Sequence, residues 1–255
     1  MENGAHESIH GIVCNAAGAS AHAPATNGRD AEAARYALLR RLGPAIRHNM
    51  AGALQPIAMV ASMLERRLQK PDMDRQVLNK NAGDIVSLSR EAAAACVDLM
   101  SWIAPKDKQT IALGTGIAEC VGMVATEFSF KGYTIVNKSK ESPEAETRVS
   151  SSAIRNVFSA ALLALTDAAP FPGTLLIRVE GCDGDGPCIV IELQDAQSAQ
   201  MPAGSPPYRK LAWSDVEALA FEESMPLSCS ATRVTLQCAN ITDNTSSEAF
   251  ANTPA

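Results

Sequence analysis

Small and apolar side chains recur along residues 39 to 64 in alternating steps of four and three: Leu39, Gly43, Ile46, Met50, Ala53, Ile57, Val60 and Leu64. Only a helix gathers residues at that spacing into one seam, and the spacing is that of a coiled coil. A second run follows through Leu78, Ala82, Ile85, Leu88 or Ser89, Ala92, Cys96, Leu99 and Ile103, and stops before Pro105. Between them QKPDMD (69–74) reads as a turn, with Pro71 ending the first helix and Asp72 or Asp74 capping the next. The two helices make a long hairpin. A hairpin alone cannot bury a seam on both helices, so two copies joined in a four-helix bundle are expected, and the chain is read as a homodimer.

From residue 106 the periodicity changes. Thr110 to Ala112 reads as a short strand and Thr115 to Phe130 as a helix with Ile117, Val121, Val124 and Phe128 on one face. Tyr133 to Asn137 is a strand, Ser151 to Asp167 a helix, and TLLIRVE (174–180) and CIVIELQD (188–195) are neighbouring strands around the turn residues GCDGDGP. A weaker helix from Ser214 to Glu223 precedes TRVTLQC (232–238), a closing strand. The fold class is α+β: a helical hairpin over 31–105, then an α/β sandwich over 106–240. Residues 1–30 and 241–255, poor in large apolar side chains, are expected to be disordered tails.

Composition narrows function. A net charge of -6 argues against nucleic acid, whose binding draws on a basic surface. No window approaches the roughly 18 apolar residues of a membrane span, and the opening MENGAHESIH is a poor signal peptide. A cytoplasmic protein without membrane contact is expected. The seven cysteines are scattered, with no C-x-x-C pair and no zinc-like spacing, so they read as reduced, small apolar residues, and no metal site is expected.

His48 is the only histidine after residue 23. With Ile46 and Ala53 at heptad position d and Met50 at a, it falls at f, the outward position. One reading is an ordinary surface histidine. The other is a nucleophile, because a neutral imidazole in water can accept a phosphoryl group and pass it on.

A helical hairpin with an outward histidine in its first helix, followed by an α+β domain of about 130 residues, resembles the transmitter module of bacterial histidine kinases over roughly residues 33–240. That family's histidine box runs His, acidic, two variable positions, Thr or Asn, Pro, Leu. Here His48, Asn49, Met50, Ala51, Gly52, Ala53 and Leu54 stand in those places. Asn49 replaces the general base toward the imidazole, and Gly52 replaces the residue that positions a hydrolytic water. Ala53 replaces the kinking proline, although Pro44 and Pro56 can bend the helix elsewhere.

The second domain departs in the same direction. Ala160 and Ala164 stand where the family's helix carries asparagines for magnesium and nucleotide, with Asn156 and Asp167 nearby but off the pattern. In LQDAQSAQ, Asp195 keeps the adenine-recognising aspartate of Asp-x-Gly-x-Gly, but Gln197 and Ala199 replace the glycines whose permissive backbone admits phosphate. Asn156, Asp167 and Asp195 are therefore read as a degenerate nucleotide site, and no cofactor or ATP binding is expected.

The resemblance thus points to the dimeric histidine phosphotransferases of two-component phosphorelays. It implies that His48 exchanges phosphate with response-regulator receiver aspartates, the receiver supplying magnesium, with an upstream histidine kinase as a candidate further partner. Arg41, seven residues before His48 and on its face, Arg47, Asn49 and Gly52 are the candidate phosphate or receiver contacts. Two alternatives stay open: an ATP-dependent histidine kinase, and a non-catalytic pseudokinase that docks on a two-component partner. Other signals are weaker. Ser150 to Ser152 lack a second histidine in the folded region, Asp183 and Asp185 fall short of a calcium loop, Trp102 and Trp213 read as packing residues, and AACVDLMSWI reads as bundle core.

Overall fold

The computed structural model describes residues 24–71, 74–103, 109–182, 186–195 and 208–241. Two helices open the chain, α1 (Pro24–Leu68) and α2 (Arg75–Ile103), and pack on each other as an antiparallel hairpin. Helix α1 begins earlier than the apolar pattern implies, so residues 24–30, assigned by sequence to a tail, are helical. The rest of both tails, residues 1–23 and 242–255, lies outside the described residues, as do Asp72, Asp183 and Asp185. Asp74 caps α2, its Oδ1 accepting from the N–H of Gln76 at 2.9 Å.

Next come β1 (Thr110–Ala112), α3 (Leu113–Phe130), β2 (Thr134–Asn137), β3 (Arg148–Ser150), α4 (Ser151–Ala153) and α5 (Ser159–Ala168). A π-helical segment, Ile154–Phe158, joins α4 and α5 into one continuous helix. They are followed by β4 (Thr174–Gly181), β5 (Pro187–Gln194), α6 (Trp213–Glu222), β6 (Leu227–Cys229) and β7 (Arg233–Gln237). Helix α3 stops at Gly132, whose φ of +82° suits glycine, and the N–H of Tyr133 returns to Phe128 O at 2.9 Å.

The main sheet has the order β2-β4-β5-β7-β6, with β2 parallel to β4 and every other pair antiparallel. Strands β1 and β3 form a separate antiparallel pair. One face of the main sheet sends Leu175, Ile177, Ile189, Ile191, Val234 and Leu236 into the core against α3 and α5, whose Ile117, Val124, Phe128, Leu162 and Leu165 are wholly buried. Strand alternation turns Arg178, Glu192 and Arg233 to the other face, where Glu192 pairs with Arg178 at 3.1 Å and Arg233 at 2.9 Å. The result is a two-layer sandwich with one polar face.

The hairpin and the sandwich touch extensively. The N-terminal half of α1 buries Ala31, Ala34, Ala37, Leu38 and Leu42, and packs on α6 and α3. Among the described residues no helix is long and apolar enough to cross a membrane. Reduced cysteines throughout were expected, but Cys182 and Cys188 form a disulfide, their Cα atoms 5.8 Å apart across the β4–β5 hairpin. The pairing register explains this: Glu180 lies opposite Cys188 and Gly181 opposite Pro187, which brings Cys182 alongside the start of β5.

Candidate functional site

His48 sits past the middle of α1 and is exposed, as are Arg47, Asn49 and Gly52 around it. Among the described residues no side chain or backbone group hydrogen-bonds or ion-pairs with the exposed His48 ring. Pro44 and Pro56 lie within α1 on either side of it. Asn49 turns toward the sandwich, its Nδ2 lying 3.4 Å from Met123 Sδ on α3. Beside it a cleft runs between the end of α2 and α3, lined by Asn49, Asp98, Trp102, Glu119, Met123 and Arg155.

Arg155 spans that cleft. It donates to Ser101 Oγ at 2.7 Å, pairs with Glu119 at 3.1 Å, and lies 5.5 Å over the Trp102 ring. Trp102 is therefore a packing residue, as read from sequence, and it is buried. In AACVDLMSWI the expected burial is divided: Leu99 and Trp102 are buried, whereas Val97 and Met100 are exposed on the single chain.

Arg41 corrects the sequence reading. One heptad before His48 it was expected on the open face, but its side chain is wholly buried and forms a two-pronged ion pair with Asp167 at the end of α5. Heptad position predicts exposure only within a hairpin, and here the sandwich covers this stretch of α1. Arg41 is thus unavailable to an incoming phosphate in this arrangement, and Asp167 is its partner rather than an open polar group of the sandwich.

The remaining degenerate-site residues are scattered. Asn156 is buried, and its Nδ2 donates to Glu223 Oε1 at 2.9 Å; Glu223 Oε2 accepts from Ser152 Oγ at 2.8 Å. Asp195 directly follows β5 and is exposed, with a φ of +51°. Ala160 and Ala164 are buried in the core. A π-helical segment, Ile154–Phe158, lies ahead of them in the same continuous helix. Among the described residues, the side chains of Asn156 and Asp167 are engaged with Glu223 and Arg41. Among the described residues no cluster of three His, Cys, Asp or Glu can hold a metal.

Sequence reasoning missed Glu223, Glu119 and Arg155, whose partners lie 36 to 71 residues away along the chain. Spacing carries no signal for such contacts. Tyr133 was also missed: its hydroxyl donates to Thr166 O at 3.0 Å, and burial, then the nearby Asp167 charge, raise its pKa.

The architecture is similar to that of histidine kinases and a bacterial phosphotransferase. The phosphotransferase matches at 16% identity with a TM-score of 0.36, over 86% of this chain and 98% of its own. The Acinetobacter baumannii histidine kinase AdeS matches at 12% identity and 0.39, over 73% of this chain and 98% of its own. The histidine kinase domain of an Erythrobacter litoralis blue-light activated kinase matches at 16% and 0.39, over 84% and 94%. No protein-family model and no curated protein matches the chain.

Proposed function

We propose that the protein is a two-component phosphorelay phosphotransferase in which His48 takes a phosphoryl group from a receiver aspartate and returns it to another. One observation carries this reading: His48 stands exposed on a rigid helix, its ring bound by no neighbour among the described residues. The imidazole lone pair attacks phosphorus, the N–P bond forms as the acyl phosphate O–P bond breaks, and the receiver carboxylate leaves with the electron pair. The proton on the other ring nitrogen stays in place. Magnesium and the charge-neutralising lysine come with the receiver, so this chain needs only a presented nucleophile.

The polar side chains of the sandwich support a relay rather than a kinase. Asn156 and Asp167, two of the three residues of the expected nucleotide site, are committed to Glu223 and Arg41. Exposed Arg47 is the remaining basic candidate contact beside the histidine, and Asn49 and Gly52 flank the approach. We further propose a homodimer working in the cytoplasm, where receivers act.

The deciding experiment offers purified protein labelled phosphate from ATP with magnesium, and separately from a panel of phosphorylated receivers, with His48→Ala as control. Label taken from a receiver and lost in the variant supports the relay. Label from ATP alone makes the protein a kinase, and no label from either source favours a docking pseudokinase.

A further inference from the structure

The contacts around Arg41 join three separate pieces of the chain. Its Nη2 donates to Asp167 Oδ1 at 3.0 Å, its Nη1 donates to Asp167 Oδ2, and Nη1 also reaches Arg209 O at 3.2 Å. Asp167 Oδ2 accepts the Leu211 N–H at 2.9 Å, and Lys210 Nζ donates to the Asp167 carbonyl at 3.0 Å. The segment 208–211 is thereby strapped between α1 and the end of α5. On the outer side Tyr208 packs edge-on against Tyr36, with ring centres 6.1 Å apart, and lies under the Arg40 guanidinium at 5.3 Å. Arg35 reaches Glu222 of α6 at 2.5 Å.

A surface ion pair is readily exchanged for water, but Arg41 has no exposed side-chain area and Asp167 only 9%. Separating the two requires the sandwich to leave α1. The same docking places Met123 against Asn49, directly after His48.

We propose that Arg41 is a positioning residue: through Asp167 and the 208–211 strap it clamps the sandwich onto α1, so that α3 stands as a fixed second wall beside His48 for the docking receiver. This rests on the phosphotransfer reading. The clamp acts on how a large donor seats and leaves the imidazole's own reactivity unchanged. Arg41→Lys keeps the charge but loses the planar fork, and so weakens the clamp without abolishing it.

The test compares full-length wild type, Arg41→Met and Arg41→Lys in three measurements. These are His48 labelling by phosphoramidate, a small donor that needs no docking; phosphate transfer from a phosphorylated receiver over a range of receiver concentrations; and hydrogen exchange along α1. For Arg41→Met the expected result is an unchanged phosphoramidate rate, a half-saturating receiver concentration raised about tenfold with little change at saturation, and lost protection over residues 31–42 but not 53–64. Arg41→Lys falls between. Unchanged protection in Arg41→Met overturns the clamp, and lost protection with unchanged receiver saturation overturns the positioning role. A wild type labelled by phosphoramidate but by no receiver overturns the parent reading instead, and hydrogen exchange then decides the clamp by itself.

Discussion

Arg41 and His48 lie one heptad apart on the same side of α1, about 10 Å along its axis, yet the first is wholly buried and the second exposed. The edge of the sandwich falls between them. Asp167→Ala therefore leaves a buried guanidinium without its counter-charge and is expected to cost roughly 3 kcal/mol in urea denaturation. His48→Ala removes an exposed ring without partners and shifts stability by less than about 0.5 kcal/mol, while abolishing transfer from a receiver. Equal losses for the two variants would contradict the burial difference.

The acid limb of stability offers a second test. Asp215, near the start of α6, accepts from Arg209 at 2.6 and 2.7 Å and from the Ala212 N–H at 2.9 Å. The Arg209 hydrogen bonds hold its pKa below the ordinary value, against an opposing effect of burial. A carboxylate whose folded pKa is depressed stabilises the fold above its unfolded pKa, and that contribution is lost as pH falls through the folded pKa. Urea midpoints of wild type and Asp215→Asn are expected to differ by a constant amount from pH 7 down to about 5, and the gap to narrow only as pH falls from the ordinary aspartate range toward the lower folded pKa. A gap that does not narrow at all as pH is lowered from about 5 toward the acid unfolding limit would mean that the carboxylate charge is not what stabilises this turn.

Much of this fold is legible in the chain because its signals are local. The strand Thr110–Ala112 has the limits read from sequence, and α3, β4, β5, α6 and β7 fall within a few residues of theirs, since each carries its own period and punctuation. Strands β3 and β6 were missed. At three residues each they are too short to alternate, and they exist because β1 and β7 pair with them. The π-helical turn before Ala160 left no trace in the apolar pattern. His48 was placed correctly on the outside by heptad position. Arg41 was not, because its burial is decided by an aspartate 126 residues later.

Thiol chemistry should sort the cysteines by environment. Burial pushes the Cys120 and Cys238 thiols up to about 12, so at pH 8 roughly one molecule in ten thousand carries the reactive thiolate. Cys96 on α2 is only half-buried and therefore open to reagent. Iodoacetamide on the native protein is expected to label Cys96 well before Cys120 and Cys238, with Cys182 and Cys188 joining only after a reductant opens their disulfide. Peptide mass analysis reads the order, and early labelling of Cys120 would show that α3 opens far more often than its burial implies.

The hairpin leaves apolar surface that its own packing does not use. On α1, Val60 is buried and Ile57 and Leu64 half-buried, so the seam read from sequence is largely taken up within the chain. Met50 of that seam is exposed, as are Leu54, Ala61 and Leu68, which continue from it at steps of four and seven, and Val86, Ala93, Val97 and Met100 form another exposed stripe on α2. Water disfavours such exposed stripes at roughly 25 cal/mol for each Å² of apolar area, and a second copy offers the same pattern in return. A four-helix bundle would cover both. Placing charge there should cost association but not folding, because these side chains touch little within the chain. Leu54→Glu combined with Val97→Glu is expected to lower the mass measured by light scattering from twice the 26.9 kDa of the chain to a single copy, with the circular dichroism spectrum unchanged. A variant that stays dimeric would move the interface elsewhere, and a wild type that is already monomeric would remove the bundle from the proposal while leaving His48 and its clamp to be tested as they stand.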